Sequence, residues 1–110
     1  MRIYISFPYG RRRGLNLEQL EVNVQRSIEI ARQIILKGHN VFNPLLWHFL
    51  AYEWEDGITE EQWADLSLEW IEQCDALYSG GFSEGCVREY ERAKELHKPI
   101  YFFLQDIPNA

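Results

Sequence analysis

Asp75 to Leu104 reads DALYSGGFSEGCVREYERAKELHKPIYFFL. It opens on a short apolar segment, Asp75 to Ser79, and breaks at Gly80-Gly81. A helical pattern then runs from Ser83 to Lys98. Ser83 stands where an N-cap hydroxyl is expected, and Pro99 disfavours a helical residue before it. Ile100 to Leu104 is a near-continuous apolar run, as expected of a strand covered on both faces. Strand, helix and strand in this order point to a parallel sheet with helical crossovers.

The same alternation recurs in the rest of the chain. Arg2 to Phe7, RIYISF, alternates and carries β-branched and aromatic residues, so it reads as the first strand. Pro8, Gly10 and Gly14 mark a loop after it. Asn16 with Gln19 forms a capping box. Leu17, Leu20, Val24, Ile28, Ala31 and Ile35 then recur at helical spacing up to Lys37, with Gly38 as the stop. HNVFN, His39 to Asn43, is a short second strand. Pro44 suits the first turn of a helix capped by Asn43, with Leu46, Phe49 and Leu50 as its apolar face and Asp56-Gly57 as its end. Thr59 with Gln62 opens another helix, with Trp63, Leu66, Trp70 and Cys74 on one face. The fold class is therefore α/β: a small doubly wound, flavodoxin- or Rossmann-like parallel sheet of four to five strands, with helices on both faces. Residues 1–110 form one domain without internal repeats.

Composition limits the partners. The chain has 110 residues and a net charge of −6, which argues against nucleic acid. No apolar run approaches the roughly 20 residues that span a bilayer, and with a strand pattern starting at Arg2 no signal peptide is expected. Two cysteines, Cys74 and Cys86, lack metal-ligand spacing and suit reduced thiols in a cytoplasm. No metal site or cofactor is expected.

In an open parallel sheet, ligands bind beyond the carboxyl ends of the strands. That edge receives Phe7, Pro8, Tyr9, Gly10 and Arg11 from the first strand. Asn43, Pro44, Trp47 and His48 follow the second, and Ser79 to Ser83 with the last helix follow the third. Asp75 lies at the opposite edge and is expected to be structural. Dinucleotide, phosphate-loop and nucleophile-elbow patterns are absent. What remains is Ser83-x-Gly85-x-x-x-Glu89. In a helix, Glu89 shares its stripe with Gly85, Cys86, Ala93 and Leu96. A helix start exposes N–H groups that suit a phosphate, and a carboxylate one turn deeper is placed to attack a sugar carbon. On spacing alone, Glu89 is equally an edge residue paired to Arg88 or Arg92.

Taken together, these residues resemble the nucleoside 2-deoxyribosyltransferase-like superfamily, which includes the nucleoside 5′-monophosphate N-glycosidases. RIYISFPYG resembles the family's opening strand and loop, with Phe7 where Gly is usual. GHNVFNPLLWHFL resembles the second strand and its continuation. CDALYSGGFSEGCVREYERAKELHKPIYF carries the pattern S-x-G-x-x-x-E-x-x-x-A through Ser83, Gly85, Glu89 and Ala93, followed by Pro99. The resemblance implies that Glu89 is the nucleophile at C1′ and that Ser83 contacts a 5′-phosphate. It also implies that Tyr9 lines the sugar and base pocket, and that the protein forms a homodimer or higher homo-oligomer. It further implies an Asp eight residues before Asp75, where this chain has Ser67. The nearest carboxylate is Asp65, rotated roughly 200° around the helix from that position. Either the helix kinks and Asp65 turns in as the second catalytic acid, or that acid is missing.

The leading expectation is cleavage of the N-glycosidic bond of a nucleoside 5′-monophosphate through Glu89, by hydrolysis or deoxyribosyl transfer. A non-catalytic nucleotide-binding or sensing module is the alternative, and a purely structural homo-oligomer is a third reading. His48 either protonates the leaving base or stacks on it, or is a packed residue between Trp47 and Phe49. Trp54 and Trp63 read as core or subunit interface. The arginines of Arg11 to Arg13 read as solvated, with one of them in reach of a phosphate.

Overall fold

The computed structural model describes residues 1–10, 14–51 and 58–110. Among the described residues, four strands make one parallel sheet: β1 (Arg2–Ser6), β2 (Asn40–Phe42), β3 (Ala76–Ser79) and β4 (Ile100–Tyr101), in the order β2-β1-β3-β4. The register pairs Tyr4 with Phe42 on one side and with Leu77 on the other, and it sets Ser6 beside Ser79. The helices described between them are α1 (Leu17–Leu36), α2 (His48–Ala51), α3 (Glu60–Gln73) and α4 (Glu84–Glu95).

Strand alternation divides the core into two layers. Ile3 and Ile5 of β1 point to one face and pack with Ala31 and Ile34 of α1, together with Ala76, Tyr78 and Ile107. Tyr4 points to the other face and packs with Ile71 of α3, Ala93 of α4, Cys74 and Leu77. Helices therefore cover both faces, as the alternation of elements predicts. The chain reverses direction across the sheet between β1 and β3, so a crevice opens at their carboxyl ends.

The helix starts follow their caps. Asn16 Oδ1 accepts from Gln19 N at 2.9 Å, and Gln19 Oε1 accepts from Asn16 N at 3.1 Å. Thr59 and Gln62 repeat the arrangement at α3. Asp75 is structural at the far edge, where its Oδ2 accepts from Arg2 N at 2.7 Å.

Three expectations about extent are corrected. α4 ends at Glu95 and not at Lys98, because His97 adopts a left-handed conformation with φ 56°. Lys98 N then donates to Ala93 O and His97 N to Lys94 O, which closes the helix in a Schellman motif before Pro99 is reached. β4 spans two residues where the apolar run predicts five. Phe102 and Phe103 are 41% and 62% exposed, and Lys37 Nζ collects the carbonyls of Leu104 and Ile107, turning the chain away from the sheet edge. The segment after β2 begins as a 3₁₀ helix, Pro44–Trp47, before α2. With three residues per turn, positions 45 and 48 eclipse. Leu45 and His48 are consequently buried, while Leu46, Phe49 and Leu50, the expected apolar face, are exposed. The expected helix end at Asp56-Gly57 and Trp54 lie outside the described residues.

Candidate functional site

A cavity of about 280 Å³ opens at the carboxyl edge of the sheet. Phe7, Tyr9 and Gly10 reach it from the end of β1. Trp47 and His48 reach it from the segment after β2. Ser83, Gly85, Cys86, Arg88 and Glu89 reach it from α4, and Trp63, Ala64 and Ser67 from α3. The cavity thus gathers Tyr9, Gly10, His48, Ser83, Gly85 and Glu89, six of the residues singled out in the sequence.

Glu89 holds the floor. Its Oε2 accepts a hydrogen bond from the Tyr4 hydroxyl, and its Oε1 accepts one from Ser6 Oγ at 3.0 Å. Tyr4 and Ser6 are alternate residues of β1, so the pleat turns both hydroxyls toward α4. Both are fully buried. Burial pushes the Glu89 carboxyl up to about 7, and the Tyr4 and Ser6 hydrogen bonds, then the charge of Arg88, pull against it. Burial also drives the Tyr4 phenol well above its ordinary range, helped by the Glu89 charge and opposed by the Ser67 hydroxyl. Tyr4 therefore remains a proton donor at any working pH. Neither arginine on the helix pairs with Glu89. Arg88 Nη1 reaches Glu61 at 3.5 Å, and Arg92 pairs with Glu72 and Glu95. The alternative of an edge ion pair is thus corrected.

The walls are aromatic. The Trp47 and Trp63 rings lie 5.2 Å apart and tilted by 35°. Trp63, read from sequence as core or interface, lines the cavity instead. The Tyr9 hydroxyl and His48 Nδ1 are hydrogen-bonded to each other, and their rings meet edge-on at 5.6 Å. Ser83 caps α4, its Oγ accepting from Cys86 N at 3.3 Å.

Two expected site residues are not brought to the cavity. Asp65 is exposed and does not line it, and the inner position of α3 belongs to Ser67. Helical geometry wins here, because a regular α3 cannot turn both residues inward. Asn43 is buried but spent on structure. Its Oδ1 accepts from Leu45 N, and its Nδ2 donates to Ser27 Oγ. Arg11 lies outside the described residues. Conversely, Tyr4 and Ser6 were not legible as site residues. The one signal is a pair of hydroxyls two apart in an otherwise apolar strand. Among the described residues, no group of three His, Cys, Asp or Glu is placed to hold a metal ion, and no helix is long and apolar enough to cross a membrane.

No protein-family model matches the chain, and no curated protein matches its sequence. Among solved structures it is similar to a 2-deoxyribosyltransferase from the psychrotolerant bacterium Bacillus psychrosaccharolyticus. The TM-score is 0.57 at 26% identity, over 91% of this chain and 69% of the other. The chain has a nucleoside 2-deoxyribosyltransferase-like fold.

Proposed function

We propose that the protein cleaves the N-glycosidic bond of a nucleoside or nucleoside 5′-monophosphate, with Glu89 as nucleophile. The observation that carries this reading is the setting of Glu89: a carboxylate held by two hydroxyls, with no cation among the described residues paired to it, at the floor of an open cavity. Likeness to a 2-deoxyribosyltransferase supports the same chemistry. A carboxylate offers about four acceptor positions. Two are taken by Tyr4 and Ser6, so lone pairs remain on both oxygens for attack.

Glu89 attacks C1′, and the electron pair of the C1′–N bond leaves with the base. The resulting glycosyl ester is opened by water in hydrolysis, or by a second base in transfer. Tyr4 and Ser6 orient the nucleophile and favour its ionised form. The walls of Phe7, Trp47 and Trp63 suit a flat base. The start of α4 at Ser83 suits the 5′ end, hydroxyl or phosphate. A volume near 280 Å³ lies at the lower bound of ligand cavities, roughly 300 Å³, and fits one nucleoside-sized molecule.

The test is incubation with a panel of nucleosides and nucleoside 5′-monophosphates, with chromatography for free base. Release from at least one compound, abolished in Glu89→Gln, is expected. Release that survives that substitution would remove Glu89 from the reaction. One observation favours a second reading, a nucleotide-binding module without turnover. Ser67 stands where the resemblance implies the second acid. Tight binding of a panel member without base release would establish it.

A further inference from the structure

A leaving base needs a proton, and the position expected to supply it carries Ser67, whose hydroxyl is a poor acid near neutral pH. We propose that Tyr9 and His48, backed by Glu21, deliver that proton; the inference rests on the Glu89 chemistry above. Both side chains line the cavity, and His48 is only 5% exposed. Its Nδ1 is hydrogen-bonded to the Tyr9 hydroxyl, and its Nε2 lies 3.9 Å from Glu21 Oε1. Glu21 belongs to α1, and its side chain is 55% exposed. The three groups therefore form a line from the cavity to solvent.

The line is held in place by packing. Asn23 Nδ2 donates to Tyr9 O at 2.9 Å, fixing the loop after β1 against α1. The 3₁₀ turn places His48 inward beside Leu45. Imidazole is the side chain suited to exchange a proton near neutral pH. The Glu21 carboxylate lies within ion-pair distance of Nε2 and faces the side of the ring turned away from Tyr9.

Glu89 forms its bond to C1′ while the C1′–N pair passes to the base. The Tyr9 O–H proton moves to the base nitrogen, and the His48 Nδ1 proton moves to the Tyr9 oxygen. Neutral His48 remains, with its Nε2 proton toward Glu21. When water attacks the glycosyl ester, its proton returns to His48 through Tyr9, and Glu89 leaves as the carboxylate. One group serves as acid and then as base, as microscopic reversibility requires.

The experiment compares two leaving groups. One substrate is the nucleoside or monophosphate that the unaltered protein cleaves fastest. The other is the matching 4-nitrophenyl pentofuranoside, whose nitrophenolate departs without a proton. Removing a general acid costs about 100-fold or more. His48→Gln and Tyr9→Phe should each lose about that much with the base-bearing substrate, and less than about tenfold of the nitrophenolate release. The second activity also reports that the variants are folded. Equal losses with both leaving groups would make the pair structural and overturn the proposal, as would no loss with either. Glu21→Gln should slow release of the base several-fold and leave nitrophenolate release in place, and unchanged release of the base would take Glu21 out of the relay. An unaltered protein that cleaves neither substrate would instead refute the underlying glycosidic reading.

Discussion

The Tyr4 hydroxyl donates to the Glu89 carboxylate across 85 positions of sequence, joining the central strand to the last helix at the cavity floor. A hydrogen bond to a charged group is worth about 1.5–3 kcal/mol. Tyr4→Phe removes it from the ionised form, so the carboxyl should hold its proton to higher pH. The ascending limb of the pH–rate profile should shift upward, and activity at pH 6.5 should fall roughly 10- to 100-fold. A limb that stays in place would show that Tyr4 only packs.

The same carboxyl should be visible in stability. Its proton affinity rises from an ordinary 4.5 to about 7 in the folded protein. Below 4.5 both states are protonated and the burial is tolerated. Between 4.5 and 7 the folded protein binds a proton that the unfolded chain does not, so stability falls as pH rises. Above 7 the loss is complete, at roughly 3 kcal/mol. Glu89→Gln should remove most of this slope and be more stable at pH 8, while losing activity. Urea midpoints at pH 5 and pH 8 for both proteins would test it.

Gly85 separates folding from binding. It lies in the first turn of α4, and a Cβ there would meet nothing within 4 Å. Gly85→Ala should therefore gain roughly 0.5–1 kcal/mol of stability from helix propensity. The same methyl would stand in the cavity that Gly85 lines. A higher melting temperature with a several-fold higher KM is the expected pair of results.

Gly81 should behave in the opposite way. A Cβ at that position would fall 2.3 Å from Pro8 Cγ and 2.6 Å from Cδ. The pyrrolidine ring has little freedom to retreat, and overpacking of this kind costs about 1–3 kcal/mol. Pro8 lies between Phe7 and Tyr9, which both line the cavity. Gly81→Ala should lower both the melting temperature and the activity. Full activity at normal stability would contradict the tight loop contact.

Much of this was legible in the sequence because the elements declare their own boundaries. Asn16, Thr59 and Ser83 each announce a helix, and the strand-edge rule then brings Ser83, Gly85 and Glu89 to Tyr9 and His48. The remainder depended on tertiary geometry. Alternation in RIYISF marks a strand whether its inward hydroxyls are filler or ligands, so Tyr4 and Ser6 were indistinguishable from core. Asn43 has the chemistry of a ligand, but its amide is consumed by a cap and by Ser27. The inward turn of His48 came from a 3₁₀ period that an α-helical reading of Leu46, Phe49 and Leu50 could not anticipate. The early end of β4 reflects Lys37, distant in sequence, drawing off the carbonyls that follow it.

Because hydroxyls and not a cation hold Glu89, its readiness depends on how much water stands in front of it. An uncharged ligand that fills the cavity displaces that water and makes the anion less comfortable, so binding at neutral pH should draw a proton from the buffer. The heat of binding should then vary with the ionisation enthalpy of the buffer. Only when positive charge gathers at C1′ does the balance reverse, and the discomfort of the bound state becomes attraction for the transition state.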